Sequence, residues 1–572
     1  MDYNILVKNL KKDFSQLKVV KIAILGDSAT QMITNALKAF GFEKEINFEI
    51  FEADYNQIER QIYDSESDFF QFNPEFVIIY YSSNKLLKKF YTSSKEEKSD
   101  FASRKLNEIS NIYQTINSNL KCKTIFFNFI EINDKVFGNF ANKINHSFLY
   151  QIRKLNFELM NLSQLSANLF INDISSLHSS AGSVFCFDPK MYVNADIHFS
   201  LDFLPLIAKN ITEIILSIKG SFKKCLILDL DNTLWGGIIG DDGVENIQIG
   251  DLGIGKAYTE LQMFCKQLQQ RGIILAVCSK NDEIKAKEPF EKHPDMVLKL
   301  GDIAVFVANW QNKADNIRYI QKVLNIGFDS MIFLDDNPFE RSIVKTNIPE
   351  VTVPDMPEDP AEYLPFLRTL NLFEAASYTE EDEQRTQQYK ENTKRIELQN
   401  QFANEDDFLK NIGMVSTVKS FDKFTIPRIA QLSQRSNQFN LRTIRYSEAE
   451  IQQIAVSKDY YTFTFTLEDK FGDNGLISVV ILQKENAQTL FIETWFMSCR
   501  VLKRGMENFV LNTIAEFAKK NGFINLKGEY LPTAKNEMVK DHYLNLGFIN
   551  KTSHWELNLD DYKKKINYIF TK

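Results

Sequence analysis

An apolar run that ends in two closely spaced aspartates constrains this chain more than any other feature. Cys225-Leu226-Ile227-Leu228 is typical of a short strand buried on both faces, and Asp229-Leu230-Asp231-Asn232-Thr233 follows directly. Residues i and i+2 of an extended chain point the same way, so both carboxylates can face one reacting centre. Open α/β sheets place their ligands at the carboxyl ends of strands. The pair therefore predicts either a site for a cation and a phosphate oxygen or an Asx-turn that closes the strand.

The length and composition of the chain limit its class. At 572 residues it is too long for one core, and we expect three or four domains. The formal net charge of −8 gives no whole-chain attraction to nucleic acid or to an anionic membrane, and no long apolar run predicts a membrane span. Six cysteines without CxxC or CxxH spacing argue against a zinc site and fit a reducing compartment. With an N-terminus that lacks signal-peptide features, we expect a cytoplasmic protein.

Strand and helix patterns alternate along the first two domains, which we expect at residues 1–219 and 220–373. Apolar strands at 19–25, 76–81 and 124–129 are separated by polar helical stretches in the first domain. The second repeats the order strand, helix, strand. Alternation of this kind predicts parallel sheets with right-handed crossovers.

The last third of the chain has a different pattern. The charged segment 374–401 predicts a solvated helical connector. Residues 402–572 mix strands with a helix, which predicts an α+β domain with an antiparallel component. The polar stretch 428–440 is either a solvated helix or a ligand-facing loop that presents Gln431, Asn437 and Asn440. The predicted fold class is therefore α/β and multidomain, with two parallel-sheet domains followed by an α+β domain.

Further chemistry follows the paired aspartates in order. Ser279 ends a predicted strand and can donate its hydroxyl to a phosphate oxygen. Lys313 begins a predicted helix and can neutralise a phosphate or a nucleophile. Asp335 and Asp336 end another strand and supply hard oxygen ligands. A carboxylate nucleophile, a hydroxyl, a lysine and an acidic cluster are the groups that phosphoryl transfer needs.

These elements resemble the four motifs of the haloacid dehalogenase (HAD) superfamily, whose members share a Rossmann-like sheet. The resemblance implies that Asp229 is the nucleophile and Asp231 the acid/base. It also implies that Thr233, Ser279 and Lys313 bind the substrate phosphate. The implied Mg²⁺ ligands are Asp229, Asp231 through its carbonyl, Asp335 and Asp336.

Trp235-Gly236-Gly237 and the residues around the later motifs resemble the FkbH-like, class IIIC branch of that superfamily. In some polyketide pathways, members of this branch remove phosphate from 1,3-bisphosphoglycerate and pass the glyceryl unit as a thioester to an acyl carrier protein. The resemblance therefore implies a small phosphorylated substrate and an acyl carrier protein as partner. The segment between Thr233 and the helix predicted at 256 is too short for a large cap domain, so selectivity is expected from flanking domains or from a partner.

The first domain resembles the SGNH hydrolases, which have a flavodoxin-like sheet. Ser28 of Gly26-Asp27-Ser28 matches their nucleophile, and Asn84, Asp196 and His198 match parts of two later blocks. The spacing of Asp196 and His198 is one residue short. We therefore expect a domain that binds a substrate or partner rather than an active esterase.

The third domain resembles GNAT-type acyltransferases. The loop Arg500-Val501-Leu502-Lys503-Arg504-Gly505 keeps the ends of their pyrophosphate-binding pattern, so Arg500, Lys503, Arg504 and Gly505 are candidates for binding coenzyme A or a phosphopantetheine arm. Cys278 and Cys499 are candidates for a transient thioester, or else buried structural thiols.

Three functions remain open at this stage. The chain is a glyceryl or acyl transfer enzyme that serves a carrier protein, a plain phosphatase of a small phosphorylated metabolite such as a sugar acid in surface-glycan synthesis, or a scaffold that binds a carrier protein without catalysis.

Overall fold

A computed structural model of the protein describes residues 2–399, 401–533 and 535–572. The chain forms two compact units, which meet in sequence between Leu216 and Ser217. Among the described residues, no helix has the length and apolar character that crossing a membrane requires.

The first unit is built on a parallel sheet whose strands are mostly apolar runs. The five strands are β1 Lys18–Gly26, β2 Ile46–Glu52, β3 Phe76–Tyr80, β4 Lys123–Phe127 and β5 Leu169–Asn172. Their order, β2-β1-β3-β4-β5, is that of a flavodoxin-like doubly wound sheet, as the resemblance to SGNH hydrolases implies. The strand order reverses between β1 and β3, and in such folds this is the point at which ligands bind.

Helices surround this sheet and connect its parallel strands. The α-helices are Tyr3–Leu6, Gln31–Glu43, Ile58–Tyr63, Asp68–Phe72, Ser83–Thr92, Lys95–Ser99, Phe101–Asn119, Phe148–Gln164, Ile174–Ala181, Ser183–Cys186, Pro189–Ala195 and Leu204–Ile218. The sequence pattern does not predict β2 and β5. Most of β2 is only partly buried or exposed, and β5 has only four residues, two of them only partly buried, so neither has the continuous apolar run of a central strand.

The second unit begins with a four-stranded parallel sheet. Its strands are β6 Cys225–Leu228, β7 Ile274–Ser279, β8 Ile303–Ala308 and β9 Met331–Leu334, in the order β8-β7-β6-β9. The α-helices of this part are Ile239–Asp242, Gly255–Gln270, Glu283–Lys292, Lys313–Leu324, Pro338–Asn347 and Tyr363–Leu370. The apolar run of β8 was not assigned from the sequence, and it forms one edge of the sheet. Parallel pairing brings the carboxyl ends of all four strands to one edge.

A nine-stranded mixed sheet forms the rest of the second unit. Its strands are β10 Met414–Ser416, β11 Val418–Lys419, β12 Tyr460–Asp469, β13 Gly472–Lys484, β14 Thr489–Met497, β15 Asn525–Gly528, β16 Ile549–Asn550, β17 Trp555–Asn558 and β18 Ile569–Thr571. The α-helices here are Arg385–Gln399, Glu405–Asn411, Ile426–Arg435, Glu448–Val456, Met506–Lys520 and His542–Asn545. The central strands β12, β13 and β14 are antiparallel, which confirms the predicted α+β character.

The helix Arg385–Gln399 is not the solvated connector that its charge predicts. It contacts β8 of the parallel sheet and β13 of the mixed sheet, and Tyr389 is buried in the apolar cluster on one face of the parallel sheet. Arg395 is buried as well, and its guanidinium makes two hydrogen bonds of 2.7 and 2.8 Å to the carboxylate of Asp469. The prediction is wrong because charged residues can be buried when each finds a partner, and the sequence does not show these partners.

The polar stretch 428–440 is also internal. Gln431 is buried and donates to Asp382 at 2.6 Å, and the Asn437 amide donates to the Gly220 carbonyl at 3.0 Å. Asn440 is buried and accepts a hydrogen bond from the Thr443 amide at 2.8 Å. Neither a solvated helix nor a ligand-facing loop describes this segment, because its polar side chains bind other parts of the second unit.

Candidate active site

The carboxyl edge of the parallel sheet gathers the acidic and hydroxyl residues that the sequence singles out. Asp229 follows β6, Ser279 ends β7, and Asp335 follows β9. Lys313 is the first residue of the helix Lys313–Leu324, which the Asn312 side chain caps by accepting from the Ala314 amide. The residues come together because parallel neighbours end at the same edge.

Lys313 is the electrostatic centre of the site. Its ammonium nitrogen lies 3.0 Å from Asp229 Oδ1 and 2.5 Å from Asp335 Oδ2, and only 2% of the residue is exposed. Burial alone would lower the pKa of Lys313, but the charges of Asp229 and Asp335 outweigh it and raise that pKa above its ordinary value. The lysine is therefore a fixed positive charge beside the predicted nucleophile.

Three carboxylates surround this one ammonium. One oxygen each of Asp229, Asp335 and Asp336 lies within 4.8 Å of the other two, which is close enough to hold one metal ion. Burial and the neighbouring Asp229 raise the pKa of Asp335 to about 6, and the same causes raise the pKa of Asp336. When all three are ionised, a single lysine leaves an excess of negative charge in a largely buried space. The residues therefore fit a divalent cation with hard oxygen ligands.

The Asp231 carboxylate is held apart from this cluster by three donors. Its Oδ1 accepts from the Trp235 indole at 3.0 Å and from the Ile239 amide at 3.0 Å. Its Oδ2 accepts from the Asn281 side chain at 3.0 Å. The Asp231 carboxylate is therefore not placed to bind the metal ion. The Asp231 main-chain carbonyl remains the ligand that the resemblance implies. The three donors fix the direction of the carboxylate.

Thr233 and Ser279 occupy buried positions at the same edge. The Thr233 hydroxyl accepts from the Asp336 amide at 3.2 Å and lies 3.4 Å from Asp336 Oδ1. It therefore links the loop after β6 to the loop after β9. The Ser279 hydroxyl accepts from the Asn281 side chain at 3.1 Å. Asn281 thus bridges the predicted phosphate-binding serine and the predicted acid/base Asp231.

Residues to which the sequence gave no role hold the loop of Asp335 and Asp336 and its surroundings in place. Arg341 donates to the main-chain carbonyls of Asp335 and Asp336 at 2.9 and 2.6 Å. The Asn337 amide donates to Asp335 Oδ1 at 2.8 Å, and Lys280 pairs with Glu340 at 2.6 Å. Trp235, Asn281, Glu340 and Arg341 all lie within the sequence motifs, so closeness to a motif was the one signal that could have found them.

The segment between the first motif and the first long helix is short. Asn232 adopts a left-handed conformation, with a φ of 53°, and its side chain accepts from the Gly237 amide at 3.0 Å. Residues 234–254, all of them described, contain the four-residue helix Ile239–Asp242 and no inserted domain. This agrees with the expectation that no large cap covers the site.

The two cysteines proposed for a thioester have different surroundings. Cys278 is buried in β7, its Sγ lies 3.8 Å from the Lys313 carbonyl, and burial raises the pKa of its thiol, which opposes formation of a thiolate. Cys499 is partly buried against the apolar cluster that contains Tyr389. Its carbonyl accepts from the Asn325 side chain at 2.7 Å.

The loop proposed to bind coenzyme A directs two of its three cations inward. Arg504 is buried and donates to Asn392 at 2.7 Å and to the Arg500 carbonyl at 2.8 Å. Arg500 is buried too, and its Nε donates to the Ser498 hydroxyl at 3.3 Å. Lys503 is exposed. Gly505 has a φ of 74° and precedes the helix Met506–Lys520.

In the first unit the structure brings together two of the four SGNH-like residues. His198 Nε2 lies 3.3 Å from Asp196 Oδ1. The Ser28 hydroxyl donates to Asp27 at 2.8 Å, whereas the hydroxyl that contacts His198 belongs to Ser82. Asn84 is partly buried and lines the same cavity as Ser82 and His198.

Comparisons with known proteins agree with this arrangement. The model of the family described as FkbH, N-terminal domain, matches residues 21–216. The solved N-terminal part of the protein BF1531 from Bacteroides fragilis, which contains a phosphatase domain complexed with Mg, is 52% identical. That match covers 66% of this chain and 100% of the other, with a TM-score of 0.63. A comparison with curated proteins found no match.

Structures of two acetyltransferases also match part of this chain. The ribosomal-protein-S18-alanine N-acetyltransferase from Escherichia coli is 16% identical over 27% of this chain and 99% of its own, with a TM-score of 0.21. The spermidine N-acetyltransferase from Vibrio cholerae is 12% identical over 25% of this chain and 96% of its own, also with a TM-score of 0.21.

A parallel sheet with an aspartate after one central strand, a lysine at a helix start and an acidic pair after the neighbouring strand defines a protein of the HAD class. The 52% identity over the whole matched BF1531 structure and the FkbH family match then narrow the class. This chain belongs to the FkbH-like family.

Proposed function

We propose that this chain is a Mg²⁺-dependent phosphatase or phosphotransferase that works through an aspartyl-phosphate on Asp229. The observation that carries the proposal is the contact of one buried lysine with both Asp229 and Asp335, beside the carboxylate of Asp336. Asp229, Asp335, Asp336 and the Asp231 carbonyl would hold the ion, which would supply charge stabilisation for the phosphoryl oxygens. The Mg in the BF1531 structure supports this assignment.

The positions of the protein groups support the following roles. The Asp229 carboxylate attacks phosphorus, and the Lys313 ammonium neutralises charge on the transferred group. Asp231 gives a proton to the leaving oxygen and then accepts one from the water that hydrolyses the aspartyl-phosphate. The donors Trp235, Ile239 and Asn281 keep the Asp231 carboxylate in place for the second of these steps.

We further propose that the substrate is a small phosphorylated metabolite such as 1,3-bisphosphoglycerate, and that the glyceryl or acyl unit passes to the phosphopantetheine arm of an acyl carrier protein. Membership of the FkbH-like family supports this, as does the short segment 234–254, which leaves room for a partner. Two large apolar side chains are also exposed beside the site. Trp310 is 75% exposed after β8, and Phe339 is 67% exposed after the acidic pair that follows β9. They lie on the segments that follow the two outermost strands of the sheet, β8 and β9, where a partner can contact them.

The test is to incubate the full chain with Mg²⁺, 1,3-bisphosphoglycerate and a holo carrier protein, and to measure phosphate release and the intact mass of both proteins. A glyceryl adduct on the carrier supports the transfer function. Phosphate release without an adduct leaves a plain phosphatase, which is the second candidate. Asp229→Asn is expected to abolish both products, whereas the matched control Asp315→Asn, an exposed carboxylate on the Lys313 helix, keeps both. Equal turnover by Asp229→Asn and the parent would contradict any enzymatic role for this site and favour the scaffold.

A further inference from the structure

The switch point of the first unit holds a hydroxyl, an imidazole and a carboxylate in a row. Ser82 follows β3, and Asp27 follows β1, so both lie at the carboxyl ends of the two strands between which the order reverses. Ser82 Oγ lies 3.1 Å from His198 Nδ1, and His198 Nε2 lies 3.3 Å from Asp196 Oδ1. Asp196 and His198 lie two residues apart, whereas Ser82 is distant from both in sequence, and sequence spacing alone does not connect it to them.

Each member of the row is fixed by other contacts. Asp196 also accepts from the Tyr55 hydroxyl at 3.1 Å, and the Lys85 ammonium lies 3.7 Å from it, so the direction of its carboxylate is fixed. The Ser82 amide donates to Asp27 Oδ1 at 2.9 Å, which sets the main chain beside the hydroxyl. The Ser28 hydroxyl donates to Asp27 Oδ1, so it is directed to this carboxylate and not to the imidazole of His198.

The state of His198 suits a general base. Burial lowers the pKa of His198, and the charge of Asp196 only partly offsets this, so the imidazole is neutral near pH 7. Nε2 lies 3.3 Å from Asp196 Oδ1 without an aligned hydrogen bond, a distance that a small turn of the ring can close on substrate binding. In the tautomer with its proton on Nε2, the Nδ1 lone pair faces the Ser82 hydroxyl and can take its proton. This is the nucleophile, base and orienting carboxylate of hydrolytic triads, defined by geometry rather than by sequence order.

A cavity of about 590 Å³ adjoins this row. Ser82, Asn84 and His198 line it together with mainly apolar side chains, among them Ile132 and Phe187. Val184 also lines the cavity and is 93% exposed, so the cavity reaches the surface there. Its size suits a small or medium-sized organic group.

Donors for a developing oxyanion lie on the same side as the hydroxyl. Ser82 is the N-cap of the helix Ser83–Thr92, so the first amides of this ten-residue helix point toward the residue. The Ser82 hydroxyl already accepts from the third of these, the Lys85 amide, at 3.4 Å. The Ser83 and Asn84 amides and the Asn84 side chain in the cavity are the groups that could receive a carbonyl oxygen.

We propose that Ser82, His198 and Asp196 form an acyl-transfer centre that hydrolyses esters or thioesters with a short apolar acyl group. Ser82 Oγ bonds to the acyl carbon while its proton moves to His198 Nδ1, and that proton leaves with the alcohol or thiol as the old bond breaks. Water then adds to the acyl-serine, gives a proton to His198, and the proton returns to Ser82 as the carboxylic acid departs. This assigns the nucleophile to Ser82 instead of Ser28, and it does not depend on the phosphatase proposal.

The test uses the full chain carrying Asp229→Asn, so the outcome is independent of phosphoryl transfer. The protein is treated with an alkyl fluorophosphonate, and the adduct is located by intact mass and peptide mapping. Turnover of p-nitrophenyl butyrate is measured in parallel. We expect one adduct, on Ser82. Ser82→Ala and His198→Gln should lower turnover by about 100-fold or more, and Asp196→Asn by about 10-fold or more with a changed pH profile.

The matched control is Ser147→Ala. Ser147 is also a buried N-cap serine, capping the helix Phe148–Gln164, so its loss costs similar helix-cap stability without touching His198. It should keep turnover within about twofold, since it lies outside the proposed centre. Should Ser82→Ala fail to fold, Ser82→Cys keeps a side chain at the cap and should become the site of alkylation by iodoacetamide. No adduct on the folded parent, or an adduct on Ser28 or another residue, overturns the proposal.

Discussion

Replacement of Trp235 by phenylalanine tests whether the hydrogen bonds to the Asp231 carboxylate contribute to catalysis. The Trp235 indole is fully buried, and its N–H donates to Asp231 Oδ1 at 3.0 Å. Phenylalanine removes this donor and keeps an aromatic ring near Phe290, whose ring centroid lies 5.9 Å from that of Trp235. The Ile239 amide and the Asn281 side chain still donate to the same carboxylate, so Asp231 keeps two of its three donors and is held less firmly.

The expected cost follows from the type of bond that is lost. A hydrogen bond to a charged group contributes about 1.5–3 kcal/mol. At about 1.4 kcal/mol for each factor of ten, kcat/KM should fall by about 10- to 100-fold if the lost bond positions Asp231 for proton transfer. The effect should lie mainly in kcat, because the residues that we propose to bind the substrate phosphate are not those that hold Asp231. We propose Asp231 as the group that transfers the proton, so the loss should persist when the substrate is saturating.

The assay is Mg²⁺-dependent hydrolysis of p-nitrophenyl phosphate, followed against pH and alongside the thermal midpoint of unfolding. Trp495→Phe is the matched control. Trp495 is also fully buried in the second unit, but its indole nitrogen has no hydrogen-bond partner in the described structure. Both variants lose similar volume, and each should cost about 1–3 kcal/mol of stability. Turnover by Trp235→Phe within twofold of that by Trp495→Phe would refute the reasoning.

Three further results are expected. Lys313→Met should lower phosphatase turnover by about 100-fold or more, because it removes the buried positive charge beside Asp229, and turnover close to that of the parent would show that this charge is dispensable. Mg²⁺ binding, followed by thermal shift, should weaken by up to about tenfold per pH unit below pH 6 and stay constant above it. Burial and the charge of Asp229 raise the pKa of Asp335 to about 6, and Asp335 must lose its proton to bind the ion. Equal affinity at pH 5 and pH 7 would contradict this expectation. Arg395→Met should destabilise the second unit to denaturant by about 3 kcal/mol, because the buried Asp469 carboxylate loses both hydrogen bonds from Arg395 and keeps the more distant Arg504, at 3.5 Å, as its cationic partner. The substitution Lys394→Met at the exposed neighbour should have little effect.

The active-site motifs were predictable because each occupies a local position. Asp229, Ser279 and Asp335 come at the ends of apolar strands, and Lys313 comes at a helix start, so strand pairing alone brings them to one edge. Most of the main strands of the three sheets were also found from their apolar runs, but β8 was not. Short or partly exposed strands such as β2 and β5 were missed, since they lack a continuous apolar run.

Other features depend on contacts between residues that are far apart in sequence. The charge of the helix Arg385–Gln399 predicts a solvated segment, and only its pairing with Asp469 and its packing between two sheets explain why it is buried. In the first unit, the sequence pattern points to Ser28, yet the hydroxyl at His198 is that of Ser82. Local pattern cannot distinguish these cases, because the partner of a polar side chain is set by packing.

The sequence by itself determined the alternation of strands and helices in the first two domains, the HAD-like motif set and the absence of a long insertion after the first motif. These depend on local apolar periodicity and on residues that each stand at the end of one element. The tertiary structure decided which charges meet: Lys313 between Asp229 and Asp335, and Asp231 held by Trp235 and two other donors. Interactions between charges depend on distance and burial, and both are fixed only when the elements pack together.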